Sequence, residues 1–154
     1  MKRNASVLQV TPNHWLTWNC RVVAQRQSVA TLRFSNWGEA GELNIQNYLY
    51  QLYREDRLSK NYYLADQLKC IAIAQKPNPL FRQFFVKEGD RRYELKATSA
   101  IGRQFILQEY GQIIGSLYPA HCLSRKVIVD LPESIPLSVK LFMVWLMLLL
   151  WKRQ

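Results

Sequence analysis

Most of the chain alternates. In Val29-Ala30-Thr31-Leu32-Arg33-Phe34, Ala30, Leu32 and Phe34 fall on one side, and Thr31 and Arg33 fall on the other. A period of two is the signature of a strand buried on one face. The same pattern, cut by turn signals, predicts strands over residues 8–10, 15–18, 20–25, 28–34, 42–45, 48–54, 68–74, 80–86, 92–97, 103–108, 112–118 and 126–129. The breaks carry turn chemistry: Asn36-Trp37-Gly38, the charged run 54–57, Lys76-Pro77-Asn78-Pro79 and Glu88-Gly89-Asp90. The clearest hairpin turns at Glu109-Tyr110-Gly111. Gly111 reads as a turn glycine and Gly115 as a close-packing one. An echo links two hairpins, Val29-Ala30-Thr31-Leu32 and Ile114-Gly115-Ser116-Leu117.

The pattern changes after Pro132. Ser134 reads as an N-cap and Pro136 suits a first helical turn. From Leu137 the chain is apolar on every face, with Lys152 and Arg153 at the end where cations complement the helix dipole. Such a helix, over about residues 135–152, is buried in a core or crosses a membrane. From residue 136 to 151 it would reach only about 24 Å. Its uninterrupted apolar run, 141–151, has a length typical of buried helices. A short tail anchor is the alternative, because Lys140 could snorkel to an interface. A barrel of about a dozen strands is too wide for its own side chains to fill. Closure removes the edge strands, and a helix through the lumen fills the space. The fold expected is therefore mainly β. It is a closed antiparallel barrel of about 12 strands around a buried hydrophobic C-terminal helix, in one domain over residues 1–154.

The strand count, the hairpin over residues 103–117 and the terminal helix with its basic end resemble the tubby C-terminal-like superfamily. That group includes the tubby proteins, phospholipid scramblases and LURP-one-related proteins. The resemblance runs from about Val7 to Arg153. It implies a barrel that binds phosphoinositide headgroups through basic residues or associates with membranes; LURP-one-like members often have no known activity. Residues 137–154 contain no acid, so an acidic metal site beside the helix, as in scramblases, has no counterpart. No binding residue transfers by motif.

Charge sharpens this picture. The formal net charge is +10, a balance that attracts phosphates on lipid or nucleic acid. The candidate anion-binding residues are Arg91 and Arg92 after a turn, Arg125 and Lys126 before the last strand, and Lys152 and Arg153 at the helix end. If some of them converge at one end of the barrel, they form a headgroup or phosphate site. Tyr48, Tyr50, Tyr53, Tyr62 and Tyr63 could stack on single-stranded nucleic acid, but no RNA-recognition or helix-turn-helix signature accompanies them, so an anionic lipid surface is the favoured partner.

Catalytic chemistry finds little support. His14 and His121 are the only histidines, and His121-Cys122, read as adjacent strand residues, would point apart. No nucleophile elbow, phosphate-cradling loop or dinucleotide fingerprint occurs, and no enzyme activity, cofactor, metal or small-molecule substrate is expected. Cys20, Cys70 and Cys122 do not form a disulfide framework and read as small core residues. Residues 1–11 lack an apolar leader. Together these point to a cytoplasmic protein, peripheral at a membrane.

Overall fold

The structure is a computed structural model and describes Val7 to Arg153. Residues 1–6 and 154 lie outside the described residues, as does the first half of the stretch read for a leader. Twelve strands run in order: β1 (Val7–Pro12), β2 (Cys20–Ala24), β3 (Gln27–Phe34), β4 (Ala40–Ile45), β5 (Tyr48–Arg54), β6 (Asn61–Ala65), β7 (Cys70–Gln75), β8 (Gln83–Glu88), β9 (Arg91–Ala97), β10 (Phe105–Glu109), β11 (Gln112–Pro119) and β12 (Val127–Asp130). Each pairs antiparallel with its sequence neighbours, and β12 closes onto β1 through Leu8 opposite Val129. Every strand sends side chains inward, Val10, Val22, Leu32 and Leu43 on the first four and Leu95, Leu107, Leu117 and Val129 on the last four, all buried.

Helix α1 (Leu137–Lys152) occupies the lumen, and residues 138–151 are all buried. A side-chain-lined wall surrounds it on every azimuth, which is why the helix has no polar face. Trp145 meets Tyr62 edge-on, with centroids 6.1 Å apart, and stacks on Phe142. Gly41 of β4 leaves room for that indole, since a Cβ there would lie 3.3 Å from Trp145 Nε1 and 2.6 Å from the Arg33 carbonyl oxygen. The tail-anchor alternative is thus corrected: the apolar surface that would enter a bilayer is already covered by strands. Among the described residues no helix is long and apolar enough to cross a membrane. Lys140 does not snorkel outward. It is buried, burial pulls its pKa down, and the charges of Glu133 and Asp130 oppose that shift.

Two sequence expectations fail in compensating ways. Residues 15–18 form no strand, because short-range bonds hold them in turns: Leu16 N–H donates to His14 Nδ1 and Asn19 N–H to Thr17 Oγ1. Strand β6 was not anticipated; its buried Tyr62 and half-buried Tyr63 are the same residue type, so the alternation is invisible in the letters. Ser134 is not the N-cap either. Pro136 holds that position with no side-chain cap, and Ser134 instead accepts from Arg91. Of the cysteines only Cys20 is a core residue, its thiol pushed up to about 12 by burial, whereas Cys70 and Cys122 are exposed. His121 and Cys122 lie in a loop, not a strand.

The echo between hairpins has a structural counterpart that recurs three times. In β2–β3, β6–β7 and β10–β11 the register slips by one residue just after the turn, leaving Val29, Ile71 and Ile114 as the extra residue. Each is a β-bulge, and each is followed by a small residue, Ala30, Ala72 or Gly115. Gly115 is small by necessity. A Cβ there would sit 2.5 Å from the Asp130 carbonyl oxygen and 2.7 Å from Leu131 Cδ2.

Antiparallel order also sorts the connections. Those after β2, β4, β6, β8 and β10 are short and share one end of the barrel, with the start of α1. Several are two-residue turns with positive φ at both positions, Gln25-Arg26, Gln46-Asn47 and Tyr110-Gly111, the geometry that matches strand twist. The connections after β1, β3, β5, β7, β9 and β11 are five to seven residues long, and all six lie at the other end, around the helix C-terminus. Replacing Gly115 with alanine is expected to force β11 off β12 and destabilise the barrel by about 1–3 kcal/mol; urea unfolding of full-length protein monitored by tryptophan fluorescence measures it.

Candidate anion site at the loop end of the barrel

The two ends differ in charge. The six long loops and the helix end, residues 13–19, 35–39, 55–60, 76–82, 98–104, 120–126 and 152–153, hold nine lysines and arginines against Glu39, Glu55 and Asp56. The turn end, including residues 131–136, holds Arg26 and Lys69 against Asp66, Asp90 and Glu133. Of the six candidates read from sequence, Arg125, Lys126, Lys152 and Arg153 are at the loop end. Arg91 and Arg92 begin β9 at the opposite end, so the six do not converge.

Arg91 is committed to structure. Its Nε and Nη2 each donate to Glu109 at 3.0 Å, its Nη1 donates to the Ser134 carbonyl and hydroxyl oxygens at 3.2 Å, and its guanidinium lies over Tyr93. It ties the β9–β10 wall to the segment that turns the chain into the lumen. Arg92 is exposed and lines an outer-wall groove of about 630 Å³ with Phe85, Lys87 and Tyr110, where Glu94 offsets its charge.

At the loop end, cations grip carbonyls. Arg125 Nη1 donates to the Trp15 carbonyl at 2.7 Å and Nη2 to that of Thr17, and the guanidinium stacks over Trp18 at 4.2 Å. Arg103 donates to the Cys122 carbonyl and covers Trp151 at 3.9 Å. Arg82 Nη1 bonds the carbonyls of Ser99 and Gly102 and sits over Phe105. Arg54 bonds Ser59 O through Nε and Glu39 through Nη1 and sits over Tyr62. Lys152 lies over Phe34. The result is a layer of cations on aromatic faces that lids the apolar lumen and fixes four of the loops. It is built from cation–π contacts and charge-assisted bonds.

Several clefts open at this end, and one of them gathers three cations. Lys76, Arg82 and Arg153 line a cavity of about 450 Å³ with Pro79, Ala100, Ile101 and Leu150, and no acidic side chain lines it. Lys76 is buried, and its Nζ donates to Asn78 O at 3.0 Å and Pro79 O at 2.9 Å, which leaves one of its three N–H groups. Burial lowers its pKa, and the charges of Arg153 and Arg54 lower it further against the opposing pull of Glu39. Arg82 Nη2 is buried without a partner, and burial also lowers the Arg82 pKa. Arg153 pairs with Glu39 and approaches the Tyr62 hydroxyl. Three cations thus line one cleft whose wall carries no acidic side chain. Sequence reading missed Lys76 and Arg82 because they bracket a loop after a proline stop, far in sequence from Arg153. The parity of the strands would have grouped them.

Among the described residues no cluster of three His, Cys, Asp or Glu side chains could hold a metal. Comparison of the chain with protein-family models, curated proteins and solved structures finds no match.

The Arg91–Glu109 pair carries a pH dependence. The hydrogen bonds from Arg91 hold the Glu109 carboxyl below its usual range. A depressed native value means that its stabilising contribution is complete above the unfolded carboxyl's ~4.3 and is lost as pH falls through the native value. Glu109→Gln is expected to be less stable than wild type at neutral pH and to converge with it in acid, which thermal unfolding between neutral and strongly acidic pH checks.

Proposed function

We propose that the protein is a non-catalytic, tubby-like barrel that binds anionic phospholipid surfaces, its loop end facing the headgroups. The observation that carries this is the cleft of Lys76, Arg82 and Arg153, with no acid in its lining. A phosphate there would relieve the repulsion among the three cations. The charge asymmetry between the ends supports the orientation, since a positive rim is drawn to an anionic leaflet by roughly 1 kcal/mol per cation near the surface. Of the sequence candidates, Lys126 and Lys152 add to this rim, Arg153 belongs to the cleft, and Arg125 serves chiefly to hold loop 13–19.

Co-sedimentation of full-length protein with neutral and with anionic vesicles, at low and high salt, tests the reading. Binding is expected with anionic vesicles only, and it should fall as salt shortens the screening length. Lys76→Met keeps the buried stem and removes the charge; it is expected to weaken vesicle binding roughly fivefold. Inorganic phosphate competing in the same range would mark a site for free phosphate, and competition only by soluble phosphoinositide headgroups would mark a lipid site. Binding to a single-stranded oligonucleotide with none to vesicles would contradict the proposal.

A further inference from the structure

The loop end carries a second, unexplained feature. Trp15, Leu58 and Ile101 stand in the loops after β1, β5 and β9, each 43 residues after the last. Trp37, Leu80 and Leu123 stand in the loops after β3, β7 and β11, with the same spacing. Thus every long loop presents a large apolar side chain at this spacing, all six between 76% and 93% exposed, and Leu16 and Phe81 stand exposed beside two of them. Packing cannot account for them, because little of any of them is buried. Scattered surface hydrophobes are ordinary. A ring with one per loop, repeated in all three four-strand units, is not scattered.

The loops hold these tips out by local bonds. Ser35 Oγ accepts from Trp37 N–H, Asp56 Oδ1 from Leu58 N–H and Asn78 Oδ1 from Leu80 N–H. The turn end has two comparably exposed residues, Leu68, held by Asp66, and Tyr110, but no ring. Successive long loops are separated by two strands, so the tips stand about 10 Å apart around the rim. Apolar points at that spacing, with cations between them, make no continuous patch for a protein partner to cover. They match an anionic bilayer, in which each point can enter between headgroups while the cations stay at their level. Tryptophan at two of the tips suits that interface.

Building on the lipid-binding reading above, we infer that the barrel docks end-on and inserts this crown of six apolar loop tips into the interfacial layer of an anionic membrane. Full-length protein is mixed with vesicles of phosphatidylcholine and about one-third phosphatidylserine, with and without brominated acyl chains. Bromine near a tryptophan quenches it. Wild type is expected to be quenched by brominated lipid, and the double variant Trp15→Phe/Trp37→Phe is expected to bind as well as wild type with that quenching lost. The quadruple variant Trp15→Ser/Trp37→Ser/Leu80→Ser/Leu123→Ser should melt with wild type, since the tips are exposed, yet lose affinity by more than about tenfold. Leu68→Ser, at the other end, should bind unchanged. Wild-type binding without quenching, together with undiminished binding by the quadruple variant, would overturn insertion and leave the electrostatic reading standing. No vesicle binding at any salt would overturn both. Self-association that the serine variant abolishes, in place of vesicle binding, would assign the crown to contact between copies of this chain.

Discussion

A barrel of twelve strands leaves a lumen that its own side chains cannot close, and whatever fills it must be apolar on all sides. Helix α1 is that filler, and most of the structure depends on it. Its 16 residues span about 24 Å, so it enters among the tight turns and ends among the long loops. The helix thereby gives the barrel an axis with two unlike ends. It also explains Gly41, which makes room for Trp145, and the inward ring of Val, Leu and Phe on successive strands. Without the helix each of those side chains would face a void, at a cost set by cavity size.

An open barrel mouth would let water reach Leu149, Leu150 and Trp151. The cation layer prevents this. Arg103 over Trp151, Arg125 over Trp18, Arg82 over Phe105 and Arg54 over Tyr62 put guanidinium groups on four aromatic faces at the rim. The same guanidinium groups satisfy the carbonyls of neighbouring loops. Much of the positive charge at this end is therefore structural, holding loops and covering aromatic faces. The long loops that carry this lid lie at the end where the helix terminates.

The fold was legible because its two signals are independent. Period-two alternation marks strands, and a helix apolar on all faces demands an enclosing wall. Their combination leaves few architectures beyond a filled barrel. The site was only partly legible. Reading residues 15–18 as a strand and passing over Asn61–Ala65 kept the strand number near the true value. It also inverted the up-and-down parity of the strands between them, so the end to which each early loop belongs could not be assigned. Arg91 and Arg92 look as available in sequence as Lys152 and Arg153, yet Arg91 is held by Glu109 and Ser134, contacts that no spacing reveals. The 43-residue recurrence of Trp15, Leu58 and Ile101, and of Trp37, Leu80 and Leu123, was present in the letters. It is hidden by substitution among unlike apolar types and by loops that differ by up to two residues in length.

The central claim is that the helix axis sets the direction in which the barrel meets a membrane. Polarised infrared spectroscopy of full-length protein on a supported anionic bilayer measures this directly, because the amide band of the single helix reports its tilt. End-on docking predicts a helix near the bilayer normal that washes off in high salt. A helix lying in the membrane plane would contradict the account, since the barrel wall would then be the docking face.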